Sequence, residues 1–516
     1  MNAHNTGSSP RIADLVAATA GRHPDAHALV VTADRNPITY RELIGLVDDL
    51  AGQLTHAGLR AGDRAGLRAQ SSAEFVVGLL AASRAGLVAV PVDPALPAAD
   101  QRARITAAGG RVVLVDGDTP SGSGETTLPH WPISVTVNEG GGAITARVDD
   151  AVAPLPASAG PDGLRPDDAL IMFTGGTTGA PKMVPWTHDN VATSVGNVIA
   201  GYGLGPDDAT VAVMPLFHGH GLIAALLSTL ASGGTVLVPA GGRFSAHTFD
   251  DDLRAASATW FTAVPTIHQI LLGRKDTDAG PERARLRFIR SCSAALNPDT
   301  ADALQKVFAA PVLSAYGMTE ATHQMSSTSE TETVTAGLVG RSTGVQVRIV
   351  GDDGRPCPPD AVGEIWVSGP TVVRGYLANP SATEQTFTDG WLHTGDLGTL
   401  SEAGELTLRG RIKELINRGG EKISPERVEG VLASHPKVLE AAVFGVPDEL
   451  YGETVGAAVV FDQADPPTAN ELTEFCRERL AAFEVPAGIA LTDELPHTAK
   501  GSIDRRAVVE RFGKGD

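Results

Sequence analysis

Phe173-Thr174-Gly175-Gly176-Thr177-Thr178-Gly179-Ala180-Pro181-Lys182 places three glycines, three threonines and a lysine within ten residues. It follows directly on the apolar run Ala169-Leu170-Ile171-Met172. Glycines let the backbone turn tightly and approach an anion, while hydroxyls and an ammonium donate to phosphate oxygens. The ligand this stretch points to is a nucleotide phosphate.

The ordinary P-loop, Gly-x-x-x-x-Gly-Lys-[Ser/Thr], does not fit. Counted from Gly176, Pro181 stands where the second glycine belongs, and proline offers no N–H. Met183 follows the lysine, so no hydroxyl is placed there for magnesium. Spacing therefore excludes the kinase or GTPase reading. A Gly/Thr loop by itself is more often a surface loop, so its company downstream decides.

The chain has 516 residues, too many for one core, and a few domains or subdomains are expected. Hydrophobic content of 42% with 20% charged residues fits a globular protein rather than a disordered one. A net charge of −20 argues against general attraction to nucleic acid or an anionic membrane. A bound nucleotide must then be held by local donors working against the global field. Cys292, Cys357 and Cys476 stand far apart without a CxxC, which implies a reducing, cytoplasmic setting without disulfides or a zinc site. Residues 1–10 are polar and lack the apolar core of a secretory signal. The most apolar segments, 75–92 and 221–240, are broken by Arg84 and by Ser228, Thr229, Ser232 and a Gly-Gly pair. Each reads as a buried helix followed by a strand rather than an integral membrane segment.

Helical patterns over 12–21 and 40–57, the second behind Thr39 as N-cap, alternate with β-branched strands at 87–92 and 235–239. The alternation predicts α/β architecture with substantial parallel sheet. Residues 116–165, rich in Gly, Pro, Ser, Thr and Asp, read as a loose excursion with one short β segment at 133–137. From residue 345 the pattern changes to short strands at 345–350, 363–368 and 405–409, a β-rich subdomain. A helix at 424–433, a strand at 441–446 and a helix at 470–482 then suggest a small separate α+β domain. The expected division is 1–412 and 413–516, with the cut near Lys413. No repeat or coiled coil is visible.

Further clusters follow the phosphate loop in order. Ser314-Ala315-Tyr316-Gly317-Met318-Thr319-Glu320 offers an aromatic face, a hydroxyl and a carboxylate. Thr394-Gly395-Asp396 places a carboxylate in a turn, suited to ribose hydroxyls. Gly410-Arg411, Asn417-Arg418-Gly419-Gly420-Glu421-Lys422 and Pro496-His497-Thr498-Ala499-Lys500-Gly501 come next. Singly, each reads as an ordinary turn, loop or solvated charge.

Together and in this order, from about residue 12 to 506, they resemble the adenylate-forming superfamily of acyl-CoA synthetases, luciferases and peptide-synthetase adenylation domains. The resemblance implies two half-reactions. A carboxylate and Mg-ATP give an acyl-adenylate and pyrophosphate, and a thiol, usually coenzyme A, then displaces AMP. Attack of one anion on another needs charge neutralisation and positioning more than covalent help. By the resemblance, Thr174, Gly175, Gly176, Thr177, Thr178, Gly179 and Lys182 hold the departing phosphates. Glu320 would ligate Mg²⁺, a cation that prefers oxygen, and Thr319 would touch a phosphate. Tyr316 with Gly317 would cover adenine beside Ala294 and Ala295, and Asp396 with Arg411 would fix the ribose. Lys413 falls at the family's interdomain hinge, His218 at its gate between ATP and thiol states, and Gly419-Gly420 on the face that serves the pantetheine channel.

The chain departs from the pattern at its end. The family signature Pro-Lys-Thr-x-[Ser/Thr]-Gly-Lys-Ile is matched by Pro496-His497-Thr498-Ala499-Lys500-Gly501-Ser502-Ile503. Ser502 occupies the place of the catalytic lysine, and Lys500 stands two residues earlier. Residues i and i+2 of an extended segment point to one side, roughly 6–7 Å apart, within reach of a lysine stem. Lys500 as a displaced stand-in and a chain with slowed adenylation are the two readings. Gly175 replaces a usual serine, Met183 a glycine, and Glu484 a basic residue common before Val485-Pro486.

The acyl pocket is expected around Met214-Pro215-Leu216-Phe217-His218-Gly219-His220, Arg290-Ser291-Cys292-Ser293 and Ala321-Thr322-His323. Burying unpaired imidazoles and hydroxyls against a fatty tail costs about 1–3 kcal/mol each, whereas a small, doubly charged acid welcomes donors. His268 alone reads as structural. Within the superfamily, MPLFHGHGL, TWFTAVPTIHQI, FIRSCSAAL and MTEATHQM look most like the oxalate–CoA ligases. Oxalate is therefore the expected acid, with His220, Ser291, Ser293 and His323 as contacts to its second carboxylate. The alternatives are a medium- or long-chain fatty acyl-CoA ligase, and an acyl-AMP ligase or adenylate-binding protein impaired in adenylation.

Overall fold

The structure is a computed structural model and describes residues 10–31, 34–116, 128–137, 145–148, 155–156, 159–174, 181–274, 285–498 and 503–513. Gly175, Gly176, Thr177, Thr178, Gly179 and Lys500 lie outside the described residues.

Three sheets organise the described residues. One half of the largest is parallel, built from His27–Val31, Thr235–Leu237, Ala209–Val211, Trp260–Ala263, Phe288–Ser291 and Val312–Met318. These are short runs of β-branched and aromatic residues buried on both faces, as parallel strands must be. Val312–Met318 then turns the sheet antiparallel by pairing with His323–Ser327. The antiparallel half continues through Leu338–Ser342, Glu405–Arg411, Trp391–Leu400, Gly363–Ser368 and Gln346–Val350, which is the β-rich region expected beyond residue 345.

A second sheet of seven strands is parallel through Gly110–Asp116, Arg64–Arg68, Val88–Pro91 and Asp168–Thr174. The helix Ala73–Arg84 is buried at every position from Phe75 to Ser83 and packs on its strands. A helix apolar all round is one covered on all sides. Thr39 caps the helix Tyr40–His56, its hydroxyl accepting from Glu42 N.

Among the described residues of 116–165 there is more strand than the single short β segment expected. His130–Thr136 is a full strand, parallel to Gly110–Asp116 and antiparallel to Thr145–Val148. Fully buried Trp131 anchors it, and the turn-rich residues around it masked that signal. The helix foreseen at 470–482 ends earlier, as Ala469–Arg477.

The third sheet joins Ile416–Arg418, Glu421–Ile423, Gly452–Phe461, Val438–Asp448 and Gly488–Thr492. Its apolar core, including Ile416, Val428, Leu432, Val443, Val459 and Leu472, draws among the described residues on none before 416. Among the described residues no helix is long and apolar enough to cross a membrane.

Candidate active site

Carboxyl ends of parallel strands are where open α/β sheets bind ligands, and the candidate residues collect there. Ser291 ends Phe288–Ser291, Thr262 lies one residue before the end of Trp260–Ala263, and Thr319–Ala321 follows Val312–Met318.

Thr174 and Lys182 face each other in the register of two antiparallel strands, Asp168–Thr174 and Lys182–Thr187. The phosphate loop therefore joins strand to strand. No helix N-terminus follows it directly, which is the structural counterpart of the failed P-loop spacing. Lys182 Nζ lies 4.4 Å from the centre of the Tyr376 ring, and Tyr376 Oη donates to Glu320 Oε1 at 2.9 Å. Leu377 N donates to Met183 O, which draws this tyrosine against the lysine. Glu320 is buried, and Trp186 Nε1 holds the adjoining Thr319 through its carbonyl at 2.8 Å. Tyr376 was not among the residues foreseen, because nothing in Arg374-Gly375-Tyr376 distinguishes it from a turn.

A buried carboxylate with a single phenolic partner leaves oxygen lone pairs for a hard cation. Among the described residues no group of three His, Cys, Asp or Glu side chains is arranged to hold a metal ion. That donor set fits Mg²⁺, which keeps waters and phosphate oxygens and takes one or two carboxylates.

Asp396 stands in the strand Trp391–Leu400 rather than in a free turn; Gly395, with φ of 73°, supplies the local bend that looked like one. It pairs in register with Arg411, Nε to Oδ1 at 2.8 Å, and its Oδ2 accepts from Tyr316. Burial pushes the Asp396 carboxyl up, and Arg411 and Tyr316 pull it back. A Cβ on Gly317 would meet His323 O at 1.7 Å, so packing alone requires this glycine. Ala294 and Ala295 are exposed and follow Ser293, which carries φ of 74°.

The residues foreseen for the acyl pocket form a polar wall, buried at His220, Ser291 and His323 and exposed at Ser293. His220 opens a π-helix, His220–Leu227, made possible by Gly221, whose Cβ would sit 2.3 Å from Pro215 O. Such wide turns recur at functional sites. His220 Nδ1 lies 3.1 Å from Ser293 Oγ and its Nε2 lies 2.6 Å from Thr262 Oγ1. The His220 and His323 rings are stacked. Among the described residues Ser291 Oγ is buried without a hydrogen-bond partner. His218 sits against the Phe217 ring, half-buried.

Behind this wall lies Arg290, fully buried. Its Nε donates to Tyr202 Oη and Gln324 Oε1, Nη1 to Thr262 Oγ1, and Nη2 to Gln324 Oε1 and His323 Nε2. Every one of these partners is neutral. A buried cation with no carboxylate beside it is costly unless an anion arrives. The sequence reading took only hydroxyls from this stretch, although a charge inside the apolar run Phe288-Ile289-Arg290 was itself a signal.

Two foreseen groups follow Arg411 in the chain. Lys413 is exposed in the short turn Ile412–Glu414, between the last strand of the large sheet and the first of the small one. Gly419 and Gly420, with φ of 60° and 98°, form the hairpin turn between Ile416–Arg418 and Glu421–Ile423.

Residues 16–377 match the family model described as AMP-binding enzyme, and residues 427–502 match the one described as AMP-binding enzyme C-terminal domain. The chain is similar to the oxalate–CoA ligase of Arabidopsis thaliana, 42% identical over 98% of this chain and 99% of that protein. It is also similar to the oxalate–CoA ligase of Saccharomyces cerevisiae, 46% identical over 67% of this chain and 64% of that protein. The solved o-succinylbenzoate coenzyme A synthetase of Bacillus subtilis, in complex with ATP and magnesium ion, is 30% identical with a TM-score of 0.79. That match covers 95% of this chain and 98% of the other.

Proposed function

The chain belongs to the AMP-binding enzyme family, and we propose that the acid it activates is oxalate. Its activity is that of an ATP-dependent acid–CoA ligase working through an acyl-adenylate. A carboxylate oxygen attacks the α-phosphorus of ATP and pyrophosphate leaves. The coenzyme A sulfur then attacks the acyl carbon, AMP leaves and the thiol proton is released.

The observation that carries oxalate is the polar wall of His220, Ser291, Ser293 and His323 in front of Arg290. A second carboxylate, one bond from the reacting one, would take donors from the wall and compensate the guanidinium. An alkyl tail would leave Ser291 Oγ and the free nitrogen of His323 unpaired, at about 1–3 kcal/mol each. That disfavours the fatty acyl reading.

For the nucleotide, Thr174, Lys182 and Thr319 would hold phosphates and Glu320 would ligate Mg²⁺, steadied by Tyr376. Tyr316 would cover adenine, and Asp396 with Arg411 would take the ribose. Lys500 would supply the adenylation lysine that Ser502 cannot. Lys413 is the proposed pivot between 1–412 and 413–516, with Gly419-Gly420 admitting the pantetheine arm by their bare backbone. Three free cysteines support a cytoplasmic location.

The test is formation of oxalyl-CoA, AMP and pyrophosphate with oxalate, ATP, Mg²⁺ and coenzyme A, set beside the same assay with dodecanoate. Free oxalyl-CoA is expected. A preference for dodecanoate, or adenylate formed without free acyl-CoA, overturns the proposal.

A further inference from the structure

We infer that Arg290 is a positioning residue that fixes His220 and His323 as neutral imidazoles carrying their proton on Nδ1. An arginine has no acceptor, so in the 3.1 Å contact between Arg290 Nη2 and His323 Nε2 the imidazole nitrogen must accept. A neutral ring that accepts at Nε2 keeps its hydrogen on Nδ1. Among the described residues His323 Nδ1 has no hydrogen-bond partner, and its N–H remains available to a ligand.

The second imidazole is set through Thr262. Arg290 Nη1 donates to Thr262 Oγ1 at 3.0 Å, and Thr262 is fully buried. The hydroxyl proton of Thr262 needs an acceptor, and His220 Nε2, at 2.6 Å, is the one present among the described residues. His220 Nε2 therefore accepts, and Nδ1–H donates to Ser293 Oγ at 3.1 Å. Ser293 is exposed, and its hydroxyl proton is released to face a ligand. One guanidinium thus presents two outward donors, His323 Nδ1–H and Ser293 Oγ–H. Burial first, and Arg290 next, hold both imidazoles well below their usual range, in keeping with neutral rings.

The tautomers stand on their own, while their effect on affinity rests on the oxalate reading. The experiment uses the full chain labelled with ¹⁵N-histidine and free of substrate, with the two ring signals assigned by their loss in His220→Asn and His323→Asn. Both rings are expected to be protonated at Nδ1 alone. In Thr262→Val, His220 shifts toward the Nε2–H form, His323 does not, and KM for oxalate rises about tenfold with KM for ATP unchanged. An Nε2–H signal from either ring of the unaltered protein overturns the inference, and so does a Thr262→Val protein whose His220 tautomer is unchanged. Absence of oxalyl-CoA formation with both tautomers as stated would sink the oxalate reading alone.

Discussion

The imidazoles of His220 and His323 stack with their centres 5.3 Å apart and their planes 22° from parallel. Two cations could not share that buried spacing. Burial, and then the guanidinium of Arg290, push both rings well below the usual imidazole range. A depressed value means that the neutral ring is already the form present at neutral pH and that protonation waits for acid. The profile of kcat/KM for oxalate should therefore show no ionisation of either ring between about pH 6 and 8. An inflection near 6.5 that disappears in His323→Asn contradicts this.

Tyr376 Oη donates to Glu320 Oε1 at 2.9 Å while Lys182 lies over its ring. Tyr376→Phe keeps the ring under the lysine and deletes only the hydrogen bond. A carboxylate ligand that loses its orienting partner binds its metal roughly tenfold to hundredfold less well. Half-maximal pyrophosphate exchange should need correspondingly more Mg²⁺, with KM for oxalate unmoved. An unchanged magnesium titration removes Tyr376 from the site.

Much of the architecture was legible because its signals are local. The Thr39 cap, the apolar run of residues 75–92 and the alternation of strand and helix follow from residues a few positions apart. The phosphate-loop reading rests on local glycine and hydroxyl spacing too, but Gly175 to Gly179 lie outside the described residues. What escaped depends on residues brought together from afar. Tyr376 reaches Glu320 across 56 positions, and Arg290 gathers Tyr202, Thr262 and Gln324 from three separate segments. His130–Thr136 was half-missed because its partner strands, not its neighbours in sequence, make it a strand.

Lys500 is the cation nearest in sequence to Ser502, which stands where the family signature has its lysine. A positive charge aimed at the developing phosphate charge is worth about two to three orders of magnitude in rate. Lys500→Ala should lower oxalate-dependent pyrophosphate exchange by about a hundredfold, while thioester formation from preformed oxalyl-adenylate is largely kept. Exchange equal to that of the parent would exclude lysine chemistry at this position.

His268 is buried in the helix Pro265–Gly273, its ring 5.8 Å from that of Phe261. Burial lowers its pKa to about 3, against a weaker opposing pull from the Arg290 backbone. Between that value and the ordinary imidazole value near 6.5, the unfolded chain binds a proton that the native ring refuses. Stability contributed by the neutral ring is thus intact above about pH 6.5 and drains away as pH falls toward 3. From pH 7 to 5 this one ring should cost about 2 kcal/mol. His268→Leu, close in volume and without a titrating group, should flatten the acid slope of the urea midpoint by that amount. Slopes that coincide in the two proteins would mean that His268 already carries its proton in the native state.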